Sequence, residues 1–117
     1  NDRLGHQVGD QVLTAVAHCI EEQVRSLDRV GRNGGEEFLV LLPDTELEEA
    51  AEVAERVRIA VSRLVIEGVP EDHPIHVSIG CAEYRAEDDN LGELIRRADE
   101  AMYAAKLAGR NRVVKAA

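Results

Sequence analysis

The stretch RNGGEEF at Arg32–Phe38 lies between two short apolar runs, one around Val30 and one over 39–42. The chain must reverse direction between them, and glycine suits a reversal because it reaches positive φ without a steric cost. Two glutamates directly after the turn are poor choices for strand stability alone, since glutamate disfavours strands and like charges repel. The pattern predicts a hairpin whose acidic turn faces a cation; a solvated turn is the simpler alternative.

Composition limits the kind of partner that this chain can have. Its 117 residues, 44% of them hydrophobic, fit one compact domain with a modest core. The 14 basic and 23 acidic residues give a net charge of −9, which opposes binding to nucleic acid or to an anionic membrane. A phosphate-bearing ligand would therefore need local cations or a metal ion. No apolar run approaches the roughly 20 residues of a transmembrane helix, so we expect no direct membrane insertion by this domain.

The two cysteines, Cys19 and Cys81, both lie in apolar contexts and lack the spacing of a zinc site. We expect buried, free thiols in a reducing cytoplasm. His73 and His76 lie near each other but have no further ligand at a useful spacing, and a metal site is not expected there.

Apolar periodicity and turn signals predict an alternation of helices and strands. The expected elements are a helix over 8–24, strands at 29–30 and 39–42, a helix opened by a capping box at 45–48, a loop over 68–74, a strand over 75–82, a helix over 91–107 and an edge strand over 110–114.

GGEEF at 34–38 resembles the signature of the GGDEF family, the diguanylate cyclases, in its variant with glutamate at the third position. Three further blocks resemble the family in the right order. They are NDRLGHQVGD at 1–10, RSLD at 25–28 and RADEAMYAAKLAGRN at 97–111. Because the four blocks extend over essentially the whole chain, residues 1–117 are identified as a single GGDEF domain.

The resemblance implies an α+β fold, an α/β sandwich with a mixed, mainly antiparallel sheet flanked by helices, related to the palm of adenylyl cyclases and polymerases. It implies that two GTP are joined into cyclic di-GMP with release of two pyrophosphates. Two domains would meet face to face as a homodimer, each holding one GTP and two Mg²⁺ or Mn²⁺ ions. An N-terminal sensory or receiver domain and a bacterial cytoplasmic location, as part of a larger sensor protein, are also implied.

The resemblance also implies roles for particular residues. Glu36 and Glu37 would be catalytic and would bind the metal ions. The implied GTP-binding residues are Asn1 and Asp10 at the guanine base, Gly34 and Gly35 at the backbone of the turn, and Lys106 and Arg110 at the terminal phosphates. A simpler interpretation of Asp10, Lys106 and Arg110 is that each complements a helix dipole.

An inhibitory site for the product is implied by Arg25 and Asp28, five residues before Gly34, together with Arg56 on the following helix. Arginine can stack on guanine and donate to its O6/N7 edge, and aspartate can accept from the other edge. Some members add an arginine one turn before Arg56, where this chain has Glu52. The default interpretation of Arg25 and Asp28 is an isolated surface ion pair.

Two departures from the family pattern bear on activity. Asn33 stands where the family often has an aromatic residue. More important, the family begins with a core strand carrying Asp-x-Asp-x-Phe-Lys, and this sequence starts after it, which would leave a gap with unpaired strand edges. We expect an N-terminally truncated piece of a longer cyclase. The alternatives are a catalytically inactive domain that acts as a cyclic di-GMP receptor, or a GTP-binding regulatory module attached to a phosphodiesterase.

Overall fold

The computed structural model describes residues 5–117, except the side chain of His6. Three helices and four short strands form within those residues. In chain order they are α1 (Gly5–Gln23), β1 (Arg29–Arg32), β2 (Phe38–Leu41), α2 (Leu47–Ser62), β3 (Ile79–Cys81), α3 (Leu91–Leu107) and β4 (Val113–Lys115). The predicted order of helices and strands is confirmed, and the architecture is α+β.

The predicted hairpin forms around the two glycines. Strands β1 and β2 are antiparallel, with Arg29 opposite Leu41 and Arg32 opposite Phe38. The turn closes where the Asn33 N–H donates to the Glu37 carbonyl oxygen over 2.8 Å. Of the glycine pair, only Gly34 has a positive φ, of +72°. Gly34 therefore supplies the left-handed residue that the reversal needs.

Strands β3 and β4 form a parallel pair, with Ile79 opposite Val113, and α3 makes the crossover between them. Both parallel and antiparallel pairing are thus present. In the part of the chain that the structure describes, however, the strands form two separate two-stranded sheets, β1-β2 and β3-β4. Each pair consequently has an edge available to a further strand.

The core lies between α1, α2 and the inner faces of the strands. Its buried members are Val16, Cys19, Ile20, Val57 and Val61, and Val61 is fully buried. On the other side of β3, α3 packs so closely that Gly80 has no room for a side chain. A Cβ at Gly80 would lie 2.1 Å from the carbonyl oxygen of Ala98 and 2.3 Å from the nitrogen of Met102.

The predicted capping box at 45–48 is wrong. Glu46 is the N-cap of α2 and makes no side-chain capping bond. The Leu47 N–H instead donates to Oε1 of Glu83 over 3.0 Å, while the Thr45 hydroxyl donates to the Pro43 carbonyl oxygen. The two side-chain groups that the box would use are engaged in tertiary contacts, because the Thr45 hydroxyl accepts from Nη2 of Arg25 and the Glu48 carboxylate pairs with Lys115. At α3, in contrast, a local side-chain cap does form, because Oδ1 of Asn90 accepts from the Glu93 N–H over 3.1 Å.

Two strands are shorter than predicted. Strand β3 begins at Ile79 rather than residue 75, and β4 begins at Val113 rather than residue 110. The second difference has a backbone cause, since Arg110 and Asn111 both have positive φ, which an extended strand cannot accommodate.

Both cysteine thiols are buried and free, as predicted. Burial raises the pKa of the Cys81 thiol to about 11. Within residues 5–117 no helix is long and apolar enough to cross a membrane.

Candidate active site and product cleft

The acidic turn of the hairpin lies beside the C-terminal end of α3. Glu36 is exposed and Glu37 is half-buried. The Lys106 ammonium lies 4.0 Å from Oε2 of Glu37, and both side chains keep about two-fifths of their surface exposed, at 39% and 40%. Lys106 is therefore a cation from another element beside the acidic turn, in addition to Arg32, whose guanidinium donates to the Gly35 carbonyl oxygen. At this distance and exposure the pair contributes little to stability, so both groups remain available to a ligand.

Arg110 follows α3 in the loop that leads to β4. Its side chain is exposed, and its own N–H donates to the Ala105 carbonyl oxygen over 2.9 Å. Lys106 and Arg110 thus bracket the end of one helix, where two cations also complement the helix dipole.

The proposed base-recognition residues are less closely placed. Asp10 is exposed on α1, and its side chain makes no hydrogen bond or ion pair with another described residue. Asn1 lies outside the described residues. The structure brings Glu37 and Lys106 into contact, but within residues 5–117 it joins no other pair of the predicted active-site side chains in this way.

Adjacent carboxylates at Glu36 and Glu37 are the hard oxygen ligands that Mg²⁺ prefers. Within the described residues, however, no three His, Cys, Asp or Glu side chains converge as a metal-binding group. The two glutamates therefore fit part of a magnesium site and do not by themselves form a complete one.

The predicted product-site residues Arg25, Asp28 and Arg56 line one cleft of about 230 Å³ between α1, the hairpin and α2. Asp28 is no surface residue, because only 2% of its side chain is exposed, against 52% for Arg25. Its carboxylate accepts from the Arg25 N–H at 2.7 Å, from Nε at 3.3 Å and from Nη2 at 3.0 Å. These bonds hold the pKa of Asp28 below its ordinary value. The interpretation as an isolated surface pair is wrong.

Thr45 contributes to this cleft in a way that the sequence did not indicate. The Nη2 group of Arg25 donates to the Thr45 hydroxyl over 2.9 Å and to the Pro43 carbonyl oxygen over 2.8 Å. The guanidinium is therefore held at a fixed place in the cleft. Only the tertiary approach of the β2–α2 connection to the end of α1 brings these groups together.

The family profile described as "Diguanylate cyclase, GGDEF domain" matches residues 1–112. The chain belongs to the GGDEF family. Among curated relatives of this GGDEF domain, diguanylate cyclase DgcM of Escherichia coli is 45% identical over 116 residues, which is 99% of this chain and 27% of that protein. The response regulator PleD of Caulobacter vibrioides is 42% identical, over 97% of this chain and 26% of that protein. The domain therefore spans about a quarter of the length of these relatives.

Solved structures agree with this assignment. The active GGEEF domain of a diguanylate cyclase from Vibrio cholerae is 32% identical with a TM-score of 0.92, covering 100% of this domain and 74% of that chain. The GGDEF domain of DgcB from Caulobacter crescentus, solved in complex with c-di-GMP, is 35% identical with a TM-score of 0.89, covering 98% and 68%. The predicted GGDEF fold, with its palm-like architecture, is confirmed.

The cleft lined by Arg25 carries both acidic and basic side chains along α2. Arg56 faces the cleft and donates to the Gln23 carbonyl oxygen over 3.2 Å. One turn earlier Glu52 lines the same cleft, as does Glu49. Two carboxylates beside Arg25 and Arg56 lower the positive potential that an anionic ligand would meet.

A second buried acid was missed in the sequence. Asp88 has 5% of its side chain exposed and pairs with Arg97, the first residue of the α3 block, over 2.6 Å. Arg97 also donates to the Glu83 carbonyl oxygen over 2.5 Å, and Asp88 accepts from the Arg85 N–H over 2.8 Å. These contacts hold the connection that follows β3 against the first turns of α3. Arg97, the arginine of the family block, therefore has a structural role.

Proposed function

We propose that this GGDEF domain catalyses diguanylate cyclase chemistry. In that reaction the 3′-hydroxyl of each GTP attacks the α-phosphate of the other, two phosphodiester bonds form, and two α–β phosphoanhydride bonds break. The two hydroxyl protons and two pyrophosphates leave. The observation that carries the proposal is the contact of Lys106 with Glu37, which puts a cation beside the acidic turn. Relatives named as diguanylate cyclases support it.

In this proposal Glu36 and Glu37 hold Mg²⁺ or Mn²⁺ ions, which would stabilise charge on the attacking and leaving oxygens. Glu36 is exposed on the turn and is the principal ligand, with a further part in accepting the hydroxyl proton. Glu37, which lies beside Lys106, is a supporting ligand of the metal ions. Gly34 and Gly35 have no atoms within 4 Å of a would-be Cβ, so the nucleotide can approach their backbone closely.

The remaining active-site roles concern binding of GTP. Lys106 and Arg110 neutralise the terminal phosphates and then the leaving pyrophosphate, where developing negative charge is greatest. Asp10 accepts from the N1–H and amino group of guanine, and Asn1 contributes an amide that can both donate and accept. In a domain of net charge −9, such local cations are what a triphosphate requires.

The chemistry requires two domains. Each domain binds one GTP, and a 3′-hydroxyl can reach the α-phosphate of a second GTP only when two sites face each other. We therefore propose a catalytic homodimer, brought together by sensory or receiver domains elsewhere in a cytoplasmic bacterial protein. We also propose that a family strand carrying Asp-x-Asp-x-Phe-Lys joins the two strand pairs, whose open edges support this placement.

The test is incubation of the full-length protein with GTP and Mg²⁺, with separation of the products by chromatography. Cyclic di-GMP and pyrophosphate in a 1:2 ratio are expected from the stoichiometry of the reaction. Unchanged GTP under conditions where the protein is folded and dimeric would overturn the proposal.

A second candidate function is supported by the Arg25 cleft. Arg25, whose side chain is 52% exposed, and Arg56 line one open space, and arginine side chains can stack on guanine. If the domain binds cyclic di-GMP in equilibrium dialysis but produces none from GTP, it is a receptor. Binding of GTP alone, without product formation or product binding, would identify a regulatory GTP-binding module.

A further inference from the structure

The loop between α3 and β4 contains two consecutive non-glycine residues in the left-handed region. Arg110 has φ +63° and Asn111 has φ +48°. Asparagine tolerates this region, whereas an arginine there carries a conformational cost that other contacts must offset. The backbone that presents Arg110 is therefore held in place by interactions outside its own local preference.

A side chain of α2 donates a hydrogen bond to this loop. Nη1 of Arg58 donates to Oδ1 of Asn111 over 3.1 Å. The other edge of the same guanidinium is held by Glu55, with Nε at 2.7 Å and Nη2 at 2.6 Å from its two carboxylate oxygens. A bidentate pair of this kind fixes the orientation of the guanidinium plane. Only 22% of the Arg58 side chain is exposed. Its guanidinium is therefore already oriented towards Asn111 before any ligand binds.

Two further hydrogen bonds hold the backbone around Arg110. The Arg110 N–H donates to the Ala105 carbonyl oxygen, and Nε of Arg112 donates to the Arg110 carbonyl oxygen over 3.1 Å. These bonds fix the peptide groups on both sides of Arg110. The bond from Arg58 is the one that anchors the loop to a different helix, and through it to the core that α2 forms with α1.

We propose that Arg58 and Asn111 are positioning residues that hold Arg110 ready for the terminal phosphates of GTP. This rests on the phosphate-binding role proposed above for Arg110. Neither residue touches the nucleotide. A loop that is ordered before binding loses less conformational freedom when the triphosphate arrives, so pre-ordering strengthens the interaction that Arg110 makes.

The experiment measures the affinity of the full-length protein for 3′-deoxy-GTP, which lacks the reacting hydroxyl, by titration calorimetry. Asn111→Gly keeps a residue suited to positive φ and removes the acceptor amide; Arg58→Gln removes the donor fork. Loss of one hydrogen bond of this type predicts a Kd raised about fivefold in either variant. The double variant should match the single ones. Affinity for GMP, which has no terminal phosphates, should be unchanged.

Two controls make the outcome specific. Arg63→Gln makes the same substitution at the exposed C-cap of α2 and should leave the Kd unaltered. In an Arg110→Ala background, Asn111→Gly should have no further effect. If Arg110→Ala weakens binding while the Arg58 and Asn111 variants do not, the positioning role is overturned and the phosphate role of Arg110 stands. If Arg110→Ala has no effect, both are overturned. An equal loss of GMP affinity in the variants would also overturn the positioning role.

Discussion

The Lys106 ammonium and the Glu37 carboxylate lie 4.0 Å apart, across the junction between the end of α3 and the turn of the hairpin. These residues are distant in sequence and come from separate family blocks. Their contact places a positive group next to one of the two glutamates of the turn in a strongly acidic domain. From this contact we predict that the junction binds a phosphate-bearing ligand, with Lys106 pairing with the phosphate.

Lys106→Ala is expected to raise the KM for GTP about tenfold, because a charge-assisted contact to phosphate is lost while the acidic turn remains. Steady-state kinetics of the full-length protein measure it. Lys115→Ala is the matched control, since Lys115 is a similarly exposed lysine that pairs with Glu48 over 2.7 Å on another surface. Equal KM values for the two variants would rule out a phosphate role for Lys106.

Glu36→Gln is expected to lower kcat by on the order of 10²-fold or more, because a neutral amide is a poor ligand for Mg²⁺. The assay is formation of cyclic di-GMP from GTP. Because Glu36 is exposed, the free energy of unfolding should change by less than about 0.5 kcal/mol. Glu67→Gln, the same change in an exposed loop, should leave kcat unaltered. Unimpaired turnover by Glu36→Gln would refute the role as metal ligand.

Arg25→Ala is expected to remove inhibition by the product while sparing the initial rate, because it takes away a guanidinium that lines the cleft. It also leaves the buried Asp28 carboxylate without its main partner, so stability must be followed by thermal melting. Arg56→Ala tests the same cleft and leaves the pair of Arg25 with Asp28 intact.

The opposite change at this cleft is Glu52→Arg, which replaces a lining carboxylate with a cation. It should strengthen product inhibition, because the local potential becomes more positive. Unaltered inhibition in all three variants would show that the cleft does not bind product. Arg96→Ala, on the exposed side of α3, serves as the control.

Gly80→Ala is expected to destabilise the domain by about 3 kcal/mol or more, since its Cβ would overlap the backbone of α3 and backbone cannot move aside as a side chain can. Urea unfolding measures the change. Gly31→Ala in β1 is the control, because no atom lies within 4 Å of its would-be Cβ and its φ is ordinary. Comparable stability of the two variants would contradict the close packing of β3 on α3.

The stability of the fold should fall in acid. Hydrogen bonds from Arg97 hold the pKa of Asp88 below its ordinary value of 3.8. A carboxyl whose pKa is lower in the folded state stabilises the fold above the unfolded pKa, and that contribution is lost as the pH falls through the folded pKa. Asp28, whose pKa is lowered by Arg25, acts in the same direction.

Urea unfolding from pH 6 downwards checks this expectation. Asp88→Asn should be less stable than the unsubstituted protein at pH 6, and the difference between them should shrink as the acid side is reached. The exposed neighbour Asp89→Asn should follow the unsubstituted curve throughout. A constant difference for Asp88→Asn at every pH would show that ionisation of this group is not involved.

The local signals in the chain predicted the elements well where they act over a few residues. The span of α3, residues 91–107, followed from apolar spacing along the chain. The same reasoning failed at Thr45, because Arg25 from another element competes for the hydroxyl. Motif spacing likewise nominated Arg25, Asp28 and Arg56, but not the burial of Asp28.

By itself the sequence determined the family and the order of the elements, and it nominated residues for both candidate sites, since these depend on spacing along the chain. Only the tertiary structure decided which groups meet. It set Lys106 beside Glu37, buried Asp28 beneath Arg25, locked Asp88 to Arg97, and tied Asn111 to Arg58. Each of these contacts depends on how helices and strands pack on one another or on how a loop folds back. The spacing of residues along the chain does not encode the distances between these side chains or the extent to which each is buried.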